Sequence, residues 1–305
     1  MAYTQVSAED AAELLDAAGM AGPVGISPLA GGWANSNFLL QLADGSRVVL
    51  KVWNERTPEE VEELIEHTCW IAEHGFPTPV PFQLSGGERM LVKDGLAWML
   101  LPFVDARWLA SDPDSLHALG EVQARLHAVP VCDGLSTSFS MGFELWEMLF
   151  ERAEAEGAWS PFLRMLEQEA VRLEADIPDD LPSGIIHGDL FPDNVLGTSG
   201  NVLVVLDFEE VCVGALALDL MMAFVGFGWQ DGEPVTERWQ ALLSGYESVR
   251  PLTDIERAAL STLHRYATLS IAAWRYWQFV MNRADSEHAD RYLEMTARLD
   301  KPLPF

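Results

Sequence analysis

Between residues 185 and 207 the sequence sets two aspartates and an asparagine at spacings that suit one chemistry. Ile185-Ile186-His187-Gly188-Asp189-Leu190-Phe191-Pro192-Asp193-Asn194-Val195-Leu196 holds Asp189 and Asn194 five positions apart, on a loop between two apolar runs. Thirteen residues beyond Asn194, at the end of the apolar run Val202 to Leu206, comes Asp207, followed by Phe208, Glu209 and Glu210. One carboxylate can orient an acceptor hydroxyl and take its proton. An amide and a second carboxylate can hold Mg²⁺ against nucleotide phosphates, and together these are the parts of phosphoryl transfer. Taken singly, each residue is an ordinary turn former: Asp189 and Asp193 in turns, Asn194 in an Asx turn, Asp207 as a strand-end cap. The set at these spacings points to a kinase. His187 reads as a residue that orients the loop by packing and a backbone hydrogen bond.

These side chains need a nucleotide site, and the first hundred residues offer one. Ser7 caps a helix that closes near Gly19 to Gly22. Phe38 to Leu42 and Arg47 to Trp53 flank Ala43-Asp44-Gly45-Ser46, a hairpin turn. Within the second strand Lys51 stands alone among apolar residues, where a lysine is poorly tolerated unless paired. It should meet a phosphate and an acid from the next helix, which opens at Pro58 and supplies Glu62, Glu63 and Glu66. Glu66 is the choice of partner. Upstream, Ala30-Gly31-Gly32-Trp33-Ala34-Asn35-Ser36-Asn37 is a glycine-rich turn in which Gly31, Gly32 and Asn35 could approach phosphates. Further short strands are expected near Val80 to Leu84 and Leu96 to Phe103. Met99 to Phe103 would form a hinge, with Leu101 and Phe103 against adenine.

From Asp112 onward the periodicity is helical: Leu116 to Ala128, Phe143 to Ala155, Pro161 to Leu173, Pro234 to Tyr246 and Asp254 to Met281. The expected architecture is α+β and bilobal, with a β-rich nucleotide-binding lobe over residues 1–102. A helical lobe over 103–305 would carry the catalytic loop and acceptor site, with the active site in a cleft.

Composition narrows the partners. The 305 residues carry 19 Lys plus Arg against 47 Asp plus Glu, a net charge of −28, which excludes non-specific binding to a nucleic-acid backbone. A small-molecule hydroxyl acceptor fits this better than nucleic acid. The apolar stretch from Val211 to Trp229 contains Asp219 and three glycines, so it reads as a buried helix and not a membrane span. Cys69, Cys132 and Cys212 suit neither disulfides nor zinc. The opening residues lack the features of a signal peptide, and a cytoplasmic location is expected. Either a monomer or a homodimer is compatible with the sequence.

The spacing H-x-D-x-x-x-x-N matches the protein-kinase catalytic loop, with Gly188 in place of arginine. IIHGDLFPDNVL followed by LDFEE resembles the aminoglycoside phosphotransferase and choline kinase group, which has a protein-kinase-like fold. Within it, DLFPDNVL, the run from Asp207 through Cys212 and Ala215 to Ala217 to Asp219 and Leu220, and LLSGYESVRPL at Leu242 to Leu252 look like its homoserine kinases. So do YTQVSAEDAAELL and GGWANSNFLL. The resemblance spans nearly the whole chain. It implies ATP and Mg²⁺ as cofactors, Asp189 as catalytic base, Asn194 and Asp207 as magnesium ligands, and Lys51 on the α- and β-phosphates. It also implies that Asp219 braces the catalytic loop beside His187.

The chain departs from the homoserine kinases where they carry aromatics after Asp207-Phe208, having Glu209-Glu210 instead, and at Ser270-Ile271, where they carry Arg-Phe. An amino-acid acceptor needs a cation for its carboxylate, with Arg275, Arg265 and Arg283 available. Glu209 and Glu210 with Trp274, Tyr276 and Trp277 could instead accept a cationic amine, as in an amino-alcohol or aminoglycoside kinase. A non-catalytic, pseudokinase-like nucleotide binder is a third reading.

Overall fold

The structure is a computed structural model that describes residues 4–29, 34–282 and 287–305. It divides into two compact units: residues 1–107 with Val204–Leu206, and 108–203 with 207–305.

In the first unit, Ser7 and Asp10 cap helix α1 (Ala8–Ala17) reciprocally, Ser7 Oγ accepting from Asp10 N–H and the Asp10 carboxylate accepting from Ser7 N–H. Strands β1 (Pro23–Pro28), β2 (Ser36–Leu42) and β3 (Arg47–Val52) are followed by helix α2 (Pro58–Glu73), then β4 (Leu91–Lys93) and β5 (Leu96–Pro102). The sheet order is β1-β2-β3-β5-β4, antiparallel throughout. Thr57 caps α2 and Pro58 opens it, as the local sequence predicts. The period of two sorts the strands. Leu40, Leu42, Val48, Leu50, Trp98 and Leu100 pack on Leu14 and Leu15 of α1, whereas Ala97, Met99 and Trp53 pack on Val61 and Ile65 of α2.

Two expectations for this unit change. Val80 to Leu84 is not a strand: Pro77, Pro79 and Pro81 lack the N–H groups a ladder needs, and a single bond from Phe82 N–H to the Leu100 carbonyl (2.8 Å) ties the segment to the sheet. Strand β4 is not among the expected strands, and neither is β1, which begins and ends on prolines (Pro23 and Pro28). As an edge strand it tolerates them.

The second unit begins within a two-residue strand, β6 (Arg107–Trp108), and continues with helices α3 (Pro113–Leu126), α4 (Phe143–Glu156) and α5 (Pro161–Asp176). Then come β7 (Ser183–Ile186), β8 (Val195–Thr198), β9 (Asn201–Val205) and β10 (Cys212–Ala215). Helices α6 (Leu216–Phe227), α7 (Thr236–Val249), α8 (Asp254–Tyr276) and α9 (Arg291–Thr296) complete it. Strands β7 and β10 pair antiparallel with Ile186 opposite Cys212, so the loops leaving Ile186 and entering Cys212 emerge side by side. Helix α6 is buried nearly all round and carries one carboxylate, Asp219. Among the described residues no helix is long and apolar enough to cross a membrane. The periodicity of α8 runs on to Met281, but after Tyr276 the last turn is a π-helix, Trp277–Met281.

Candidate active site

Strand β7 delivers the chain to His187, Gly188 and Asp189, and the β7–β10 pairing fixes where that loop begins. Gly188 has φ +79°, and a Cβ there would sit 2.7 Å from the Glu210 carbonyl oxygen. Only glycine fits that space, which accounts for its presence where protein kinases carry arginine. His187 is fully buried, with its ring 4.6 Å from that of Phe208, and Asp189 N–H donates to its Nδ1 at 3.2 Å. A turn of 3₁₀ helix, Pro192–Asn194, closes the loop.

The Asn194 side chain folds back onto Asp189. Its Nδ2 donates to the Asp189 carbonyl (2.8 Å) and to the Asp189 carboxylate Oδ2 (3.0 Å). That geometry commits the N–H groups inward and leaves Oδ1 as the atom able to face a cation. Asp207 follows β9 with φ +63°, a left-handed conformation that aspartate tolerates better than most residues. An amide oxygen and a carboxylate are hard donors suited to Mg²⁺, which completes its shell with water and phosphate oxygens. Among the described residues no three His, Cys, Asp or Glu side chains form a group that could hold a metal ion.

Burial raises Asp189 well above the usual carboxylate range, and the charges of Asp193, Glu210 and Asp207 push the same way against the opposing Asn194 bond. Three carboxylates therefore lie near enough for their charge to act on Asp189. Glu210 is tied to Ser140 by a side-chain hydrogen bond. Asp219, fully buried on α6, accepts from Gly188 N–H (2.8 Å) through Oδ1, and from Gln123 Nε2 (2.9 Å) and His127 Nε2 (3.0 Å) through Oδ2. Burial alone would raise the Asp219 pKa, but the His127 and Gln123 bonds outweigh it and hold Asp219 low.

In the first unit, Lys51 lies on β3 opposite Asn37 and Met99, buried, on the face covered by α2. Its Nζ is 3.8 Å from the centre of the Trp53 ring. Glu66, Glu62 and Glu63 are all exposed on α2, whose buried face is Val61, Ile65, His67 and Ile71. The Asn35 carboxamide oxygen accepts from Asn54 N–H at 3.1 Å, an intramolecular role. Leu101 sits on β5 opposite Val49, and Phe103 lies 4.3 Å under the Arg47 guanidinium. Gly31 and Gly32 lie outside the described residues, as does Arg283.

Of the acceptor candidates, Glu209 and Glu210 stand beside Asp207, partly exposed. Arg265 is held by both Glu169 oxygens (2.6 and 2.7 Å) and reads as a structural pair. Tyr276 belongs to a ring cluster with Phe162 and Tyr292, and Trp274 packs edge-on to Phe279. Arg275 is different. It donates to the Arg291 carbonyl and to Glu294, both at 3.0 Å. Burial and Arg291 lower its pKa, opposed by Glu294 and by Asp193 of the loop. Arg298 lies close enough that burial and Arg275 bring it to about 10. Sequence reading missed Arg291 and Arg298 because their separation from the loop, about a hundred positions, carries no periodic signal. It also missed His127, whose only mark was a histidine at the end of an amphipathic helix.

The model of the phosphotransferase enzyme family matches residues 25–252, and the chain belongs to that family. A homoserine kinase of Phenylobacterium zucineum is 30% identical over 306 residues, covering 94% of this chain and 88% of the relative. Among solved structures, the amicoumacin kinase hAmiN, in complex with AMP-PNP, Ca²⁺ and Ami, is similar with a TM-score of 0.73 at 17% identity, over 93% of this chain and 91% of that one. A microcompartment-associated aminopropanol kinase gives 0.70 at 19% identity, over 90% of each. The fold is thus the α+β, protein-kinase-like one, and the chain is a homoserine kinase-like small-molecule kinase that phosphorylates a hydroxyl.

Proposed function

We propose that the chain transfers the γ-phosphoryl group of ATP to the side-chain hydroxyl of homoserine, with Asp189 taking the hydroxyl proton. The observation that carries the chemistry is the Asn194 amide, its Nδ2 donating to both the Asp189 carbonyl and carboxylate so that its oxygen is left for a cation. Asn194 and Asp207 would hold Mg²⁺, which when bound neutralises charge on the β- and γ-phosphates. Asp189 orients the acceptor hydroxyl, and its raised basicity suits it to accept a proton as the oxygen becomes nucleophilic. Lys51 binds the α- and β-phosphates. Arg275, held by the Arg291 carbonyl and Glu294 and felt by Asp193 of the loop, is the cation assigned to an amino-acid carboxylate. The kinship to homoserine kinases over most of the chain supports the same acceptor.

A second reading, a cationic amine without a carboxylate, is favoured by Glu210, whose charge reaches Asp189. A coupled ADP-release assay with Mg-ATP separates the two, run on L-homoserine, L-serine, L-threonine, choline, ethanolamine and aminoglycosides. The expected result is turnover on homoserine that Asp189→Ala lowers by about 10²-fold or more. Turnover on an amine and none on homoserine would replace the first reading with the second.

A further inference from the structure

The bonds around Asp219 do not stop at His127. His127 Nδ1 lies 2.7 Å from the Tyr246 hydroxyl, and Arg250 Nη1 donates to that same oxygen at 3.1 Å. Arg250 Nη2 is 2.9 Å from Glu256 Oε1, and Glu256, fully buried, accepts from Thr253 N–H and so caps α8. One assignment of hydrogens satisfies every link and also gives the Tyr246 O–H an acceptor. Arg250 has only donors, so the Tyr246 oxygen accepts from it and sends its own O–H to His127 Nδ1. With Nδ1 an acceptor, the ring hydrogen sits on Nε2 and is donated to Asp219 Oδ2, while Oδ1 takes the Gly188 N–H. The three bonds from Arg250 through Tyr246 and His127 to Asp219 then point the same way, and Asp219 takes the N–H of Gly188, the residue before Asp189, from the other side. Chains so aligned polarise one another and strengthen in a buried setting. His127, Asp219 and Tyr246 are all buried to at least nine-tenths.

The geometry points to Tyr246 and Arg250 as positioning residues for phosphoryl transfer. By fixing His127 as the Nε2–H tautomer, they keep Asp219 aimed at Gly188 and hence Asp189 in register with the acceptor hydroxyl. Neither touches a reacting atom. Gln123, whose Nε2 also reaches Asp219, steadies the carboxylate but cannot set the tautomer. The inference rests on the 187–194 loop being the catalytic loop, and it concerns residues α7 contributes from more than fifty positions downstream.

Tyr246→Phe keeps the ring and removes the hydroxyl, and it is tested in the full chain with Mg-ATP and the acceptor that turns over. The expected result is a fall in kcat of about tenfold or more with KM for ATP and acceptor unchanged, since small misplacements far from the chemistry act on the chemical step. In ¹⁵N-histidine spectra, His127 should be the Nε2–H tautomer in the parent and gain an Nδ1-protonated population in the variant. Arg250→Ala should show both changes and Arg250→Lys should recover part of each, because a lysine can still donate to Tyr246 and pair with Glu256. This pair also serves if Tyr246→Phe does not fold. Parental kcat in Tyr246→Phe, or a lowered kcat with His127 still wholly Nε2–H, overturns the proposal. The spectra require no acceptor, so an error in the substrate shows in the assay alone. If Asp189→Ala remained active, the catalytic-loop reading would fall, whatever the histidine spectra showed.

Discussion

Asn194 shows how much one side chain decides. In sequence it could be an Asx turn or a metal ligand, and both readings use the same atoms. In the structure Nδ2 is spent on Asp189, which leaves the amide oxygen for the ligand role proposed here. Asn194→Ala removes both the bond that orients Asp189 and the proposed Mg²⁺ ligand. We expect kcat to fall by about 10²-fold, with half-maximal rate shifted to higher Mg²⁺, because an oriented polar contact at the developing charge is worth that much. Steady-state kinetics across a magnesium titration check this. A lowered kcat with an unchanged magnesium midpoint would leave Asn194 orienting Asp189 without ligating the metal. The same scale explains Gly188, where space and a positive φ exclude any side chain.

At the scale of elements, the close crossing of α3 and α7 makes the buried chain of bonds possible. Gly120 on α3 meets the backbone of Leu242 and Tyr246, and Gly245 on α7 meets the backbone of His117. With no Cβ at either position, the two helices approach until Tyr246 reaches His127. Gly245→Ala would drive its methyl into the His117 carbonyl, an overlap only helix separation can relieve. The expected loss is about 2–4 kcal/mol of unfolding free energy, as for other overpacked interiors. Urea denaturation checks it, and an unchanged midpoint would mean that α7 shifts without cost. Helix periodicity announced α3 and α7 separately, but nothing in either stretch said that they meet backbone to backbone.

For the molecule as a whole, we expect acid stability to depend on a histidine whose protonation burial opposes. His264 on α8 is buried among Phe224, Trp229 and Phe305, with Nε2 lacking a hydrogen-bond partner. Burial lowers its pKa from 6.5 to about 3, with Arg298 adding to the effect. The unfolded chain therefore takes up this proton first. The histidine costs nothing by linkage well above pH 6.5 and destabilises the fold progressively as pH falls from 6.5 towards about 3. The slope approaches about 1.4 kcal/mol per pH unit. Against this, protonating carboxylates relieves the repulsion of a chain with net charge −28. The difference between the parent and His264→Leu isolates the histidine: the variant should gain relative stability between pH 7 and pH 5 in urea titrations. Parallel pH profiles would mean that His264 protonates within the fold.

The sequence by itself determined what is local. It placed the capped starts of α1 and α2, the 43–46 turn, most of the helices, the loop that carries Asp189 and Asn194, and Asp207 at the end of the strand that follows. These follow from propensity, capping and spacing, which act over a few residues. It misplaced a strand at Val80 to Leu84, where hydrophobicity outweighed prolines that cannot donate, and it chose Glu66 by proximity although the helix period turns that residue outward. Only the tertiary structure decided what crosses the chain: His127 and Gln123 beneath the loop from α3, Tyr246 and Arg250 behind them, and Arg291 and Arg298 beside Arg275. Those partners lie tens to about a hundred positions apart, and packing joins them through a buried interior that leaves no periodic trace in the sequence.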